Sequence, residues 1–267
     1  MNEKTEPKQE KAGWAKRLGG ELLCAGIAGG LVSPIVGILD KAIAQELSGF
    51  RPFVKAIETG FRKMLFTPRV FFTEAPFLLT FAVYSATYTA ANLSQALLDP
   101  LDSLTTSEKQ LARVGFTSAT NISALAWRDA IFAKMYTVNP QNKPQGTLKM
   151  PKMPLSSLGL FAVRDSCTML STFYIAPRVA QYFQQNHQLE LGLACALAVP
   201  ALTQLVTVPF HVAAFDLYNR PDASFSERLL VIKREYFKVA FGRTIRVIPA
   251  FGLGSYTNTL LRSRLIS

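Results

Sequence analysis

Histidine and cysteine are scarce in this chain, and their scarcity removes several kinds of chemistry at once. The two histidines, His187 and His211, have no Ser or Cys nucleophile arranged beside them, so a hydrolase has no footing. The three cysteines, Cys24, Cys167 and Cys195, stand far apart inside apolar runs; an odd number cannot pair fully, and no zinc-site spacing occurs. They read as small buried hydrophobes, and no metal, cofactor or catalytic residue is expected. Gly252-Leu-Gly254 lacks the following glycine and the strand context of a phosphate loop. Acids are few as well: 18 Asp and Glu against 29 Lys and Arg leave a net charge of +11. With no nucleic-acid motif beside that surplus, nucleic acid is excluded as the expected partner in favour of anionic lipid such as cardiolipin.

What is present is apolar length. Hydrophobic residues make up 49% of the 267, and the mean hydropathy is +0.19. Leu191 to Phe215 contains no Asp, Glu, Lys or Arg, while Leu18–Leu39 and Val70–Leu98 hold one charge each, Glu21 and Glu74. Each run has the roughly 20 residues a helix needs to cross hydrocarbon. Three weaker candidates complete a set of six: Val114–Trp127 continuing past Arg128, Leu155–Phe183 with Arg164, Asp165 and Arg178, and Val247–Leu261 after Arg243 and Arg246. Charges within such spans must face a polar cavity or the bundle interior. Basic residues follow the odd spans: Lys41, Arg51, Lys55, Arg62 and Lys63; then Arg128, Lys134, Lys143, Lys149 and Lys152; then Arg220, Arg228, Lys233, Arg234 and Lys238. Positive charge therefore marks one membrane face, with both termini on the other. Residues 1–17 mix bases with Glu3, Glu6 and Glu10 and read as a disordered, uncleaved tail.

The spans repeat. Pro34, Asn121 and Pro209 sit near the ends of the odd spans as helix-kink positions; 87 residues separate the first two and 88 the last two. Tyr84, Tyr174 and Tyr256 give a looser echo in the even spans, with Pro76 and Pro249 ahead of the first and last. Gly26 and Gly30, four residues apart, are expected to permit close helix packing.

Three such units, each with an odd helix, a basic segment holding a short amphipathic helix, and an even helix, resemble the mitochondrial carrier family. The most specific pieces are Arg69 to Tyr84 and Arg243 to Tyr256, both similar to that family's even-helix pattern. The resemblance implies an all-α membrane protein of six transmembrane helices in three pseudo-threefold repeats, 18–98, 109–183 and 190–264, with amphipathic helices on the matrix side. The chain would be a divergent member, because Val36 and Leu39, Ser123 and Ala126, and His211 and Ala214 occupy the offsets where the family has its gate pairs. Acid and base recur slightly further on, as Asp40 with Lys41, Arg128 with Asp129 and Asp216 with Arg220, and could form displaced interhelical pairs.

Candidate substrate contacts are Arg246, three residues before Pro249, with Thr73 at the same offset before Pro76 and Glu74 beside it, and Arg164 and Asp165 in the fourth span. A guanidinium facing a cavity would hold a carboxylate or phosphate bidentately. Arg164 and Asp165 point about 100° apart and need not pair; one arrangement turns Arg164 to the cavity and Asp165 to a neighbouring helix. The implied function is alternating-access transport of a small anionic metabolite by a monomer in the mitochondrial inner membrane, with the outer membrane as the lesser choice. The competing reading is a carrier-derived membrane scaffold, assembly or insertion factor that does not transport.

Overall fold

The computed structural model describes residues 6–136, 152–188 and 190–266. Among them regular structure is helical throughout. The first helix, α1 (Glu6–Leu47), runs on across Pro34. Its backbone is helical from Glu6. A turn at Gly49 leads to α2 (Phe53–Phe66), whose Phe53, Ala56 and Gly60 are buried while Lys55, Glu58 and Arg62 are exposed. That i, i+3, i+7 spacing makes α2 an amphipathic helix lying against α1.

The expected second span is interrupted. Short α3 (Pro68–Thr73) ends where Glu74 adopts an extended conformation, and Pro76 then opens α4 (Ala75–Leu98). Proline fits a first helical turn because its missing N–H would have no intrahelical partner there. Next come α5 (Thr106–Tyr136), α6 (Leu155–Leu170), a π-helical turn over Ser171–Ile175, and α7 (Ala176–His187). The basic stretch with Lys143 and Lys149 lies outside the described residues. Then follow α8 (Gly192–Asn219), α9 (Phe225–Ile245), a π-helical stretch over Ile248–Leu253, and α10 (Gly254–Leu265). The third basic segment is thus mostly one helix running into the last span. Pro177 follows the first π-helical stretch by two residues, where its ring disturbs the carbonyl one turn back and widens the ladder, and Pro249 lies in the first turn of the second.

Packing closes these helices into a ring. Helix α1 lies along α4, α4 along α5, α5 against α6, α6 and α7 against α8, α8 along α9, and the path from α9 to α10 returns to α1. Close approach of α1 and α4 depends on Gly29, where an added Cβ would meet the Ser85 backbone nitrogen at 2.9 Å. Gly26, by contrast, has open space beside it, so the tight contact falls on neither end of the expected glycine pair as read but on the position between them. The tyrosine echo also fails in space: Tyr84 is buried, whereas Tyr174 and Tyr256 are exposed.

The surface is inverted relative to a protein dissolved in water. Leu22, Leu23 and Leu31 on α1, Leu202 and Val206 on α8, and Phe237 and Phe241 on α9 are exposed, while Glu21, Arg128, Asp129, Arg164 and Arg243 are buried. Large exposed apolar faces need a nonaqueous neighbour. Helix α1 over Lys16–Leu47 and α8 over Gly192–Asn219 are long and apolar enough to cross a membrane.

Candidate functional site

Inside the ring lies a cavity of about 390 Å³. Its walls carry Asn92, Asn121, Gln204 and Asn258, and its base carries Asp165 and Arg246. The ring geometry puts these on one axis: the end formed by the first part of α1 and the last part of α10, the terminal face, holds exposed Ser255 and Thr259 of the lining. Amide side chains offer both donors and acceptors, so the walls can bind a neutral polar group without adding charge.

Below the cavity a layer of buried ions joins five of the ring's helices. Arg246 Nη1 donates to both Asp40 oxygens at 2.8 and 3.0 Å. Arg128 Nη1 lies 2.6 Å from the same carboxylate, and its Nε and Nη2 donate to Asp129 Oδ1 at 3.1 and 2.8 Å. Arg164 grips Asp165 through Nε and Nη2 at 2.8 and 2.5 Å, while its Nη1 donates to Asp129 Oδ2 at 2.6 Å and to His211 Nδ1 at 2.5 Å. A guanidinium cannot accept a hydrogen bond, so Nδ1 of His211 carries no proton and that ring is neutral. Each carboxylate in the layer contacts at least one arginine, as buried charges require.

The layer revises individual expectations. Arg164 and Asp165 do pair, and their directions are the reverse of the arrangement expected: Asp165 lines the cavity and Arg164 points below it. Asp40, Arg128 and Asp129 belong to the layer, whereas Lys41 pairs with Glu74 at 2.9 Å on the basic face, with Lys63 on the same carboxylate. Glu74 and Thr73 are both away from the cavity lining; the Thr73 hydroxyl donates to its own helix, to Arg69 O at 2.9 Å. Asp216 sits near the end of α8, accepting from Arg220 and Arg228 at 2.8 Å each. Pro34 and Pro209 lie within helices, and Asn121 lines the cavity and donates to Thr87 Oγ1 of α4 at 3.0 Å.

Sequence reasoning passed over several participants. Arg243, buried beside the layer, donates to Gln204 Oε1 at 2.7 Å. Gln204 is the lone amide in an otherwise uncharged, mostly apolar span. Near the terminal face Arg262 of α10 clasps Glu21 of α1 at 2.6 and 2.9 Å and reaches Gln95 of α4, while Asn92 and Asn258 exchange amide hydrogen bonds at 3.0 and 2.7 Å. These pairs span up to 241 positions of sequence, and no local pattern could announce them.

Ring, cavity and inverted surface define an all-α membrane protein built around a polar chamber. The family described as "Probable citrulline exporter" matches residues 24–266, and the chain belongs to it. No curated protein and no solved structure matches the chain. The carrier resemblance is corrected by this match: the family that covers the chain is the exporter family, and no carrier family does. Periodic prolines and basic segments belong to repeated helical hairpins in general, and the carrier gate offsets were empty. Membership of an exporter family makes the chain a membrane transporter rather than an enzyme.

Proposed function

We propose that this protein moves a small metabolite bearing a carboxylate and a neutral, hydrogen-bonding side chain across a membrane, with citrulline, named in the family description, as the first substrate to test. One observation carries the reading. Arg246 lines the cavity yet gives only Nη1 to Asp40, so that its Nε–Nη2 edge has no hydrogen bond among the described residues. That edge is the fork that takes a carboxylate bidentately. Asp165 alongside retains lone pairs for an α-ammonium group, and the amides of Asn92, Asn121 and Asn258 suit a ureido group.

Transport follows from the arrangement of cavity and layer. The cavity reaches the terminal face, and the ion layer closes it toward the basic face. In the proposed cycle substrate binding weakens the grip of Arg246 on Asp40, the layer parts, and access passes to the basic face. Such a switch requires the substrate to favour one state over the other. We take the ring as six spans in three related units, 18–98, 109–183 and 190–264, acting as a monomer with anionic lipid at its basic face. The finer location is the mitochondrial inner membrane, where the gathering of bases on that face would orient it toward the matrix. Subfractionation against inner- and outer-membrane markers tests the location.

The decisive experiment is reconstitution in liposomes with labelled citrulline, other neutral amino acids, cationic amino acids and simple carboxylates. Saturable citrulline flux, abolished in Arg246→Gln, is the expected result. A folded protein that moves none of these compounds would overturn the proposal.

A further inference from the structure

The ion layer holds one cation too many. Arg128, Arg164, Arg243 and Arg246 are all buried, against Asp40, Asp129 and Asp165, and His211 is neutral by its hydrogen bonding. Three of the arginines have a carboxylate within 4.0 Å; among the described residues Arg243 has none. Its Nη2 donates to the neutral Gln204, and its Nε has no hydrogen-bond partner. Only 1% of Arg243 is exposed. The fields that act on it come from Arg246 and Arg164, which repel, and from Asp165 and Asp40, which attract. A buried cation in that position is costly unless a negative group joins it.

The residue that covers Arg243 is one that can move aside. Gln204 lines the cavity, and besides accepting from Arg243 its amide donates to Pro200 O at 3.0 Å and, over a longer 3.3 Å, to Thr168 Oγ1. We propose that Arg243 is a concealed anion site: a group with a single negative charge enters past Gln204, takes its place on Arg243 and supplies the layer's missing fourth negative charge. The shared chemistry is that of a monoanion, whether the carboxylate of a transported molecule passing on from the Arg246 fork or a free inorganic anion such as chloride. The carboxylate arm rests on the transport function proposed above; the inorganic arm does not. With the site filled, every arginine of the layer faces an anion and the buried charges balance.

The test uses the full chain in detergent, with unfolding temperature read against added citrulline, its carboxamide, acetate and chloride, ionic strength being held with sulfate. Stabilisation is expected from citrulline and acetate but not the carboxamide if carboxylates fill the site, or from chloride if an inorganic ion does. In Arg243→Gln the half-maximal concentration of the stabilising anion should rise by about tenfold or more, the size of a lost charge-assisted hydrogen bond. Gln204→Glu builds the anion into the protein and should raise the unfolding temperature without ligand while abolishing the anion response. The idea is overturned if Gln204→Glu lowers stability, or if either folded variant keeps the full anion response. Loss of flux in liposomes with the anion response intact would strike the transport reading alone.

Discussion

Arg246 and Asp40 meet across the last and first segments of the ring, with Nη1 2.8 and 3.0 Å from the two carboxylate oxygens. The same carboxylate lies 2.6 Å from Arg128 of α5. One acid therefore balances two guanidinium groups from different helices.

Removing that acid should hurt more than removing either base. Asp40→Asn leaves two buried cations short of charge, and a loss of about 3 kcal/mol or more is expected, in the range for half of a buried pair. Arg246→Gln should cost less stability, because Arg128 still satisfies Asp40, but it removes the carboxylate fork. Unfolding in detergent and citrulline flux in liposomes separate the two effects.

Gly254 is predicted to be intolerant of any side chain. Tyr88 donates its hydroxyl to Ala250 O at 2.7 Å, in the π-helical stretch, and a Cβ on Gly254 would collide with that hydroxyl and meet Val32 Cγ2 at 2.6 Å. Gly254→Ala should destabilise by about 1–3 kcal/mol as an overpacked site. Combined with Tyr88→Phe, which relieves part of the clash, the two losses should fall short of additivity in a double-mutant cycle.

Accessibility should be one-sided in the state described here. With Cys24, Cys167 and Cys195 replaced, Ser255→Cys or Thr259→Cys at the cavity's exposed rim should react with an impermeant thiol reagent from the terminal face, and saturating citrulline should slow the reaction. A cysteine at Asp165, beneath the amides, should react from the same side and more slowly. Faster labelling from the basic face would contradict the assignment of the ion layer as the closed end.

The start of α9 should loosen in acid. Ser224 and Glu227 form a reciprocal capping box, in which the Ser224 hydroxyl, and after it the Ser224 backbone N–H, holds the Glu227 carboxyl below the usual range. A lowered folded-state value means the cap contributes fully above the unfolded carboxylate value of about 4.3 and is lost as pH falls through the folded one. Amide exchange across the first turn of α9, corrected for intrinsic rates, should therefore speed up below that range. Glu227→Gln should flatten the dependence.

Much of the architecture was legible because apolar length and charge spacing are local properties. Uninterrupted runs such as Leu191–Phe215 marked long helices, and charges embedded in a weaker run, Arg164 and Asp165, or just ahead of one, Arg246, marked an interior that must be polar. Glu74 shows the limit of that reasoning. An acid in an apolar run looked destined for the cavity, but the chain breaks its helix there and turns the carboxylate to Lys41 and Lys63.

By itself the amino-acid sequence determined that the chain is helical, apolar outside and charged within, since those follow from composition and the period of the helix. Only the tertiary structure decided which charges meet. Pairing Asp40 with Arg246 joins residues 206 positions apart, and the count that leaves Arg243 without an acid among the described residues exists only once the ring has closed. Helical periodicity orients a side chain on its own helix, whereas its partner is chosen by the helix that packs opposite.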